Sequence, residues 1–384
     1  MDIPMTTTLS APEQGVLRLP AARPRSRPAA PPAARITGVG TAVTADSYSQ
    51  RELLDIFDIT DPRIRSVFLN SAIDRRHLTL PPRDAAGAVL PESQGALLAK
   101  HRRLAVEMGA NAVRECLARI GADPRDIDYL CCVTTTGFLT PGLSAFLIRE
   151  LGIEVRCHRV DVVGMGCNAG LNALGGTAAW SAAHPGRLAL MVCTEACSAA
   201  YVIDGSMRTA VVNSLFGDGA AAIALVAPAD GDAAAEPAGP RILSFASHLI
   251  TDAMGAMRYD WDDDQHKFSF YLDPDIPYVV GAHAERVVDR LLGGHHLRRS
   301  DIRHWLVHSG GKKVIDAVRV NLGLSRHDVR HTIGVLRDHG NLSSGSFLFS
   351  YRRLIEEGVV RRGDHGVMMT MGPGSTIETA LVQW

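Results

Sequence analysis

Val162-Val163-Gly164-Met165-Gly166-Cys167-Asn168-Ala169-Gly170-Leu171-Asn172-Ala173-Leu174 is the stretch around which the rest of the chain arranges itself. A β-branched pair runs into two glycines, then a cysteine, then a helix-compatible run. Cys167 is therefore expected on a tight turn at a helix N-terminus. Peptide N–H groups and the positive end of the helix dipole favour thiolate over thiol, which would lower the pKa and make the sulfur a nucleophile at neutral pH. A free cysteine is more commonly a small buried hydrophobe. Here the flanking glycines, which let backbone and substrate approach the sulfur closely, favour the nucleophile.

Working outward, residues 157–163 read as the strand entering this turn and 168–183 as the helix leaving it. Helical patterns over 101–120 and 143–151 alternate with β-rich runs at 129–133, 188–193 and 220–226, which predicts helices covering a mainly parallel sheet. Ile36 to Gly40 reads as the first strand; its Gly-x-Gly lacks the third glycine of a dinucleotide fingerprint. Residues 48–76 carry a helical pattern with Arg63, Arg65, Arg75 and Arg76, either a solvated face or a phosphate-meeting cluster.

The first 34 residues hold Pro12, Pro20, Pro24, Pro28, Pro31 and Pro32 with no periodic apolar face, the composition of a disordered tail. Residues 228–240 have linker composition. After them the pattern repeats. Asp301-Ile302-Arg303-His304-Trp305-Leu306-Val307 echoes Asp126-Ile127-Asp128-Tyr129-Leu130-Cys131, and Gly372-Pro373-Gly374 before 375–382 echoes Gly217-Asp218-Gly219 before 220–226. Two echoes in one order predict a duplicated αβ unit, with halves at 35–227 and 241–384.

The 384 residues carry a formal net charge of −1, so bulk electrostatics favour neither nucleic acid nor an acidic membrane. No apolar run is long enough to span a bilayer and no signal peptide is evident, which reads as cytoplasmic. The seven cysteines are odd in number and sit in apolar runs, as reduced thiols do. No CxxC pair is present, so Cys193-x-x-x-Cys197 reads as packing rather than zinc ligation.

A thiolate enzyme needs a proton partner and a group that holds developing negative charge. His308 ends an apolar strand and precedes the flexible Ser309-Gly310-Gly311, which exposes its ring. Asn341 lies in Gly340-Asn341-Leu342-Ser343-Ser344-Gly345. It is either a helix N-cap or, in the duplicated plan, the counterpart of Cys167 facing the same cavity.

Together, Gly-Met-Gly-Cys167-Asn-Ala-Gly, Val-His308-Ser-Gly-Gly, Gly-Asn341-Leu-Ser-Ser, Phe216-Gly-Asp-Gly-Ala and Met371-Gly-Pro-Gly resemble the thiolase superfamily, specifically type III polyketide synthases such as chalcone synthase. The resemblance runs in order from residue 36 to 384. It implies a duplicated, thiolase-like αβαβα layered fold with two pseudo-symmetric halves. It implies decarboxylative Claisen condensation of malonyl-CoA, with Cys167 as nucleophile paired to His308, and with His308 and Asn341 donating to the thioester carbonyl. No metal, flavin, nicotinamide or carrier protein is implied.

Ser206 to Phe216 and Gly345 to Tyr351 resemble the bacterial branch that serves glycopeptide antibiotic pathways. That branch joins four malonyl-CoA, one decarboxylated to an acetyl starter, into 3,5-dihydroxyphenylacetyl-CoA for downstream enzymes. Alkylresorcinol, pyrone or tetrahydroxynaphthalene products are the alternatives within the family. A β-ketoacyl carrier-protein synthase III shares the three residues but differs in the context after the histidine.

By the same resemblance Phe216 and Phe270 are gatekeepers between a CoA tunnel and the cavity, though both also read as core residues. Thr135, Cys197, Ala200 and Ser343 fall where the cavity is lined. Arg63 aligns with a CoA-phosphate contact whose companions are replaced by Ser66 and Asn70. Thr140 matches a position reaching into a neighbouring protomer, which implies a homodimer.

Overall fold

Strands form here where apolar residues recur every second position, so that one face meets each neighbouring layer. The computed structural model describes residues 33–229 and 239–384. The expected tail, apart from its last two residues, and 230–238 of the expected linker lie outside the described residues. In chain order the elements are β1 (Arg35–Ala42), β2 (Ser47–Ser49), α1 (Gln50–Ile56), α2 (Pro62–Leu69), β3 (Arg75–His77), α3 (Gln94–Ile120), β4 (Ile127–Thr134), α4 (Leu143–Leu151), β5 (His158–Val163), α5 (Ala169–Ala183), β6 (Leu188–Glu195), α6 (Met207–Leu215) and β7 (Gly219–Val226). The second half follows with β8 (Arg241–Leu249), β9 (Met257–Asp262), β10 (Lys267–Leu272), α7 (Ile276–Gly293), β11 (Ile302–Val307), α8 (Lys312–Leu322), α9 (Arg330–His339), α10 (Ser346–Glu357), β12 (His365–Gly372) and β13 (Thr376–Gln383).

Nine strands hydrogen-bond in the order β11-β12-β13-β8-β1-β7-β6-β4-β5. The duplication is visible in the pairing. β4 and β6 are parallel, β6 and β7 antiparallel, β7 and β1 antiparallel; β11 and β12, β12 and β13, and β13 and β8 repeat that pattern. A single residue pair, Arg35 with Arg241, joins the halves.

Alternate strand residues enter different cores. Leu130, Cys132, Leu190 and Val192 meet α3 and α4. Cys131, Val133, Met191 and Cys193 instead share a core with α5, α10 and Met368 of β12. Trp305, Val307 and Met369 face α7 and α8. The result is the expected αβαβα layering.

Two expectations are corrected. The sheet is mixed rather than mainly parallel, because each half returns its last strand antiparallel, β12 to β13 through the tight turn Pro373–Ser375. Residues 48–76 are not one helix but β2, α1, α2 and β3. The capping box at Ser49 starts α1, and Asp61 caps α2 with Pro62 at its first position, so the chain restarts at Asp61-Pro62. The glycines of β1 serve packing: a Cβ on Gly40 would lie 2.3 Å from the Ala112 carbonyl of α3.

Candidate active site

Cys167 sits in a 3-10 turn, Gly166–Asn168, that runs directly into α5. Two features hold this turn against the second half. Gly166 has φ +79°, and a Cβ there would strike Pro373 at 2.2 Å; a Cβ on Gly372 would come within 3.0 Å of the Cys167 nitrogen. Both positions therefore require glycine. His308 follows β11, its N–H donating to the Met369 carbonyl at 2.8 Å. Its ring is buried, and Nδ1 has no hydrogen-bond partner among the described residues.

Asn341 is not a helix N-cap. Its N–H donates to the Leu215 carbonyl at 2.8 Å, its carbonyl accepts from Gly217 at 3.0 Å, and it forms a bridge with Phe216. Its side-chain Oδ1 accepts the Ser343 N–H at 2.8 Å, which leaves the amide N–H groups as the outward-facing end, toward the sulfur. The residue is oriented as a donor.

Cys167, His308 and Asn341 line one cavity of about 680 Å³, together with Phe216 and Phe270. A second, much smaller pocket of about 30 Å³ is lined by Thr135, Cys197, Ala200 and Ser343, and by Cys167, Phe216 and Phe270 again. The two phenylalanines pack edge to face, ring centroids 5.9 Å apart, between the two spaces. Each expected cavity residue is thus in place at the sulfur.

Arg63 and Thr140 are not in either lining. Arg63 is exposed and bonded to Asp61 in the first turn of α2, whereas Ser66 and Asn70 of that helix do line the large cavity. The cations on that cavity are Lys312 and Lys313, exposed in the first turn of α8. Thr140 lies in the exposed loop before α4. Sequence reasoning passed over both lysines, and over Tyr259, which lines the small pocket and packs on Phe270 at 5.1 Å. The signal for the lysines was their place four and five residues after His308.

The ionisation expected at Cys167 is also corrected. Burial pushes its thiol up to about 12, with the Glu195 carboxylate adding to the rise, while hydrogen bonds with Ser343 and Asn341 pull the other way. Burial alone drives the His308 imidazole down to about 3. Desolvation penalises each charge separately, so the empty pocket holds a neutral thiol and a neutral imidazole. The helix N-terminus lowers this cost without reversing it.

With this geometry in hand, the comparisons are informative. Residues 79–291 match the family described as FAE1/Type III polyketide synthase-like protein, and residues 249–384 match the chalcone and stilbene synthases, C-terminal domain. A 3,5-dihydroxyphenylacetyl-CoA synthase of Streptomyces toyocaensis is 67% identical over 100% of both chains; that of Amycolatopsis balhimycina is 70% identical over 91% of this chain and 93% of its own. Among solved structures, the 1,3,6,8-tetrahydroxynaphthalene synthase of Streptomyces coelicolor superposes with a TM-score of 0.82 at 26% identity, covering 91% of this chain and 99% of its own.

Proposed function

We propose, from the premise that this chain belongs to the type III polyketide synthase family, that it condenses four malonyl-CoA into 3,5-dihydroxyphenylacetyl-CoA. The observation that carries the reading is the shared wall: Cys167, His308 and Asn341 face one cavity large enough for a pantetheine arm, with a small pocket behind the sulfur.

Malonyl-CoA enters the large cavity. His308 takes the Cys167 proton as the sulfur attacks the thioester, so both charges appear together beside the helix N-terminus. The Asn341 amide and the His308 ring donate to the thioester oxygen, first in the tetrahedral adduct and then in the enolate left when malonyl loses CO₂. Decarboxylation supplies the carbanion and the thioester supplies the electrophile, so the chemistry calls for no metal, flavin or nicotinamide. Four substrates lose four CO₂, three CoA and one water. Joining the terminal methyl of the eight-carbon chain to the carbonyl next to the thioester arm gives the dihydroxylated ring with CoA retained.

Two features support a homodimer working in the cytoplasm. β5 is an edge strand with Val160 and Val163 exposed, and Phe138, 71% exposed, lies in the loop that also carries Thr140. An open edge with apolar side chains suits pairing with a second copy. All seven cysteines are free, and no helix among the described residues is long and apolar enough to cross a membrane.

The test is mass spectrometry of products from the purified protein with malonyl-CoA as sole substrate. A C8 dihydroxyphenylacetyl group still on CoA is expected. A pyrone, a naphthalene or no product would overturn the reading.

A further inference from the structure

Glu195 ends β6 beside the nucleophile, fully buried, and no step above uses it. Four groups donate to its carboxylate: the N–H groups of Thr135 and Thr136 reach Oε2 at 2.9 and 3.2 Å, and the hydroxyls of Ser343 and Ser344 reach Oε1 at 3.2 and 2.5 Å. Burial works against the charge, and these donors oppose it. A carboxyl that accepts from two fixed peptide N–H groups and two hydroxyls is built to be an anion.

Ser343 stands between this anion and the nucleophile. Its φ is +49°, an unusual value for a non-glycine residue, and it is held there by the Asn341 side chain on its N–H and the Ser346 hydroxyl on its carbonyl. The Cys167 thiol donates to the Ser343 hydroxyl at 3.6 Å. A serine has one hydroxyl proton. While it points to Glu195, its lone pair is free for S–H; to support a thiolate it must turn to the sulfur and leave Glu195 with three donors.

We propose that Glu195 is a positioning residue that acts through the Ser343 hydroxyl to hold Cys167 of the empty enzyme as a thiol, so that the resting negative charge of the pocket resides on the carboxylate. Such a thiol resists alkylation and oxidation until substrate occupies the cavity. The other titratable groups that face this sulfur are His308, Cys197 and Tyr259, with Arg76 beyond Cys197. Glu378 of β13 bonds Asn172 and Ser247, further along α5. Of these, Glu195 alone reaches Cys167 through a single bridging hydroxyl.

This inference rests on Cys167 being the nucleophile, a reading that fails separately if Cys167→Ala still condenses malonyl-CoA. The test is the pH profile of Cys167 carbamidomethylation by iodoacetamide in the full-length protein, read on the Cys167 peptide by mass spectrometry. Glu195→Gln is expected to move the midpoint down by about one to two pH units, the effect of removing a charge two hydrogen bonds away at intermediate dielectric. Ser343→Ala keeps the carboxylate and removes the donor a thiolate needs, so its midpoint is expected to move up. Opposite shifts are what mere loosening of the pocket would not produce. Profiles that coincide with the parent protein, or shift in the same direction, overturn the proposal. If Glu195→Gln does not fold, Ser343→Ala decides it alone: an unchanged or lowered midpoint overturns the proposal.

Discussion

At equivalent places the two halves carry different side chains. β4 runs into Thr135 and Thr136, whose N–H groups are taken up by Glu195 of the same half, whereas β11 runs into His308, whose Nδ1 has no partner among the described residues. The 3-10 turn before α5 presents Cys167, and the corresponding turn before α10, Ser343–Gly345, is preceded by Asn341 with its amide directed to the sulfur. One half closes its polar groups on themselves and offers a nucleophile; the other leaves donors unspent. A duplicated frame thus becomes asymmetric chemistry through what each half leaves unbonded.

The comparison can be broken most directly at the nucleophile. Cys167→Ala is expected to abolish condensation while slow malonyl decarboxylation, measured as acetyl-CoA formation, survives because the second half still binds the enolate. Next in size are His308→Ala and Asn341→Ala, each expected to lower both condensation and decarboxylation by about 10²–10³, the cost of one lost oxyanion donor. Decarboxylation retained in the double variant would assign the donors elsewhere. The smallest effect concerns the CoA arm. Replacing Lys312 and Lys313 by Ala is expected to raise the malonyl-CoA KM roughly three- to tenfold at unchanged kcat, since each exposed phosphate contact contributes about 0.5–1 kcal/mol. Arg63→Ala, off the cavity, is expected to leave KM unchanged.

Much of this was legible in the sequence where the physics is local. The period of 143–151 and of 302–307 marked α4 and β11, and the two echoes marked the repeat. Strand direction was not legible, because whether β13 returns antiparallel depends on the Pro373–Ser375 turn rather than on its own apolar pattern. The roles of Arg63, Lys312 and Lys313 depend on which turn of a helix borders a cavity formed by distant elements. The Cys167 thiol was misjudged because a helix N-terminus is readable nearby in the chain, while the burial and the Glu195 charge that outweigh it come from β6 and the second half. Tyr259 carried no signal, being one aromatic among several on the β9–β10 hairpin.

The bridge between Phe216 and Asn341 links size selection to reactivity. Because the gate residue and the carbonyl-binding amide are anchored on one another's main chain, trimming the Phe216 ring alters only the passage behind the sulfur, whereas an insertion anywhere in 215–217 displaces Asn341 as well. Diversification of product length in this scaffold is therefore confined to exchanges of side chains there, with the number of residues in that segment held constant.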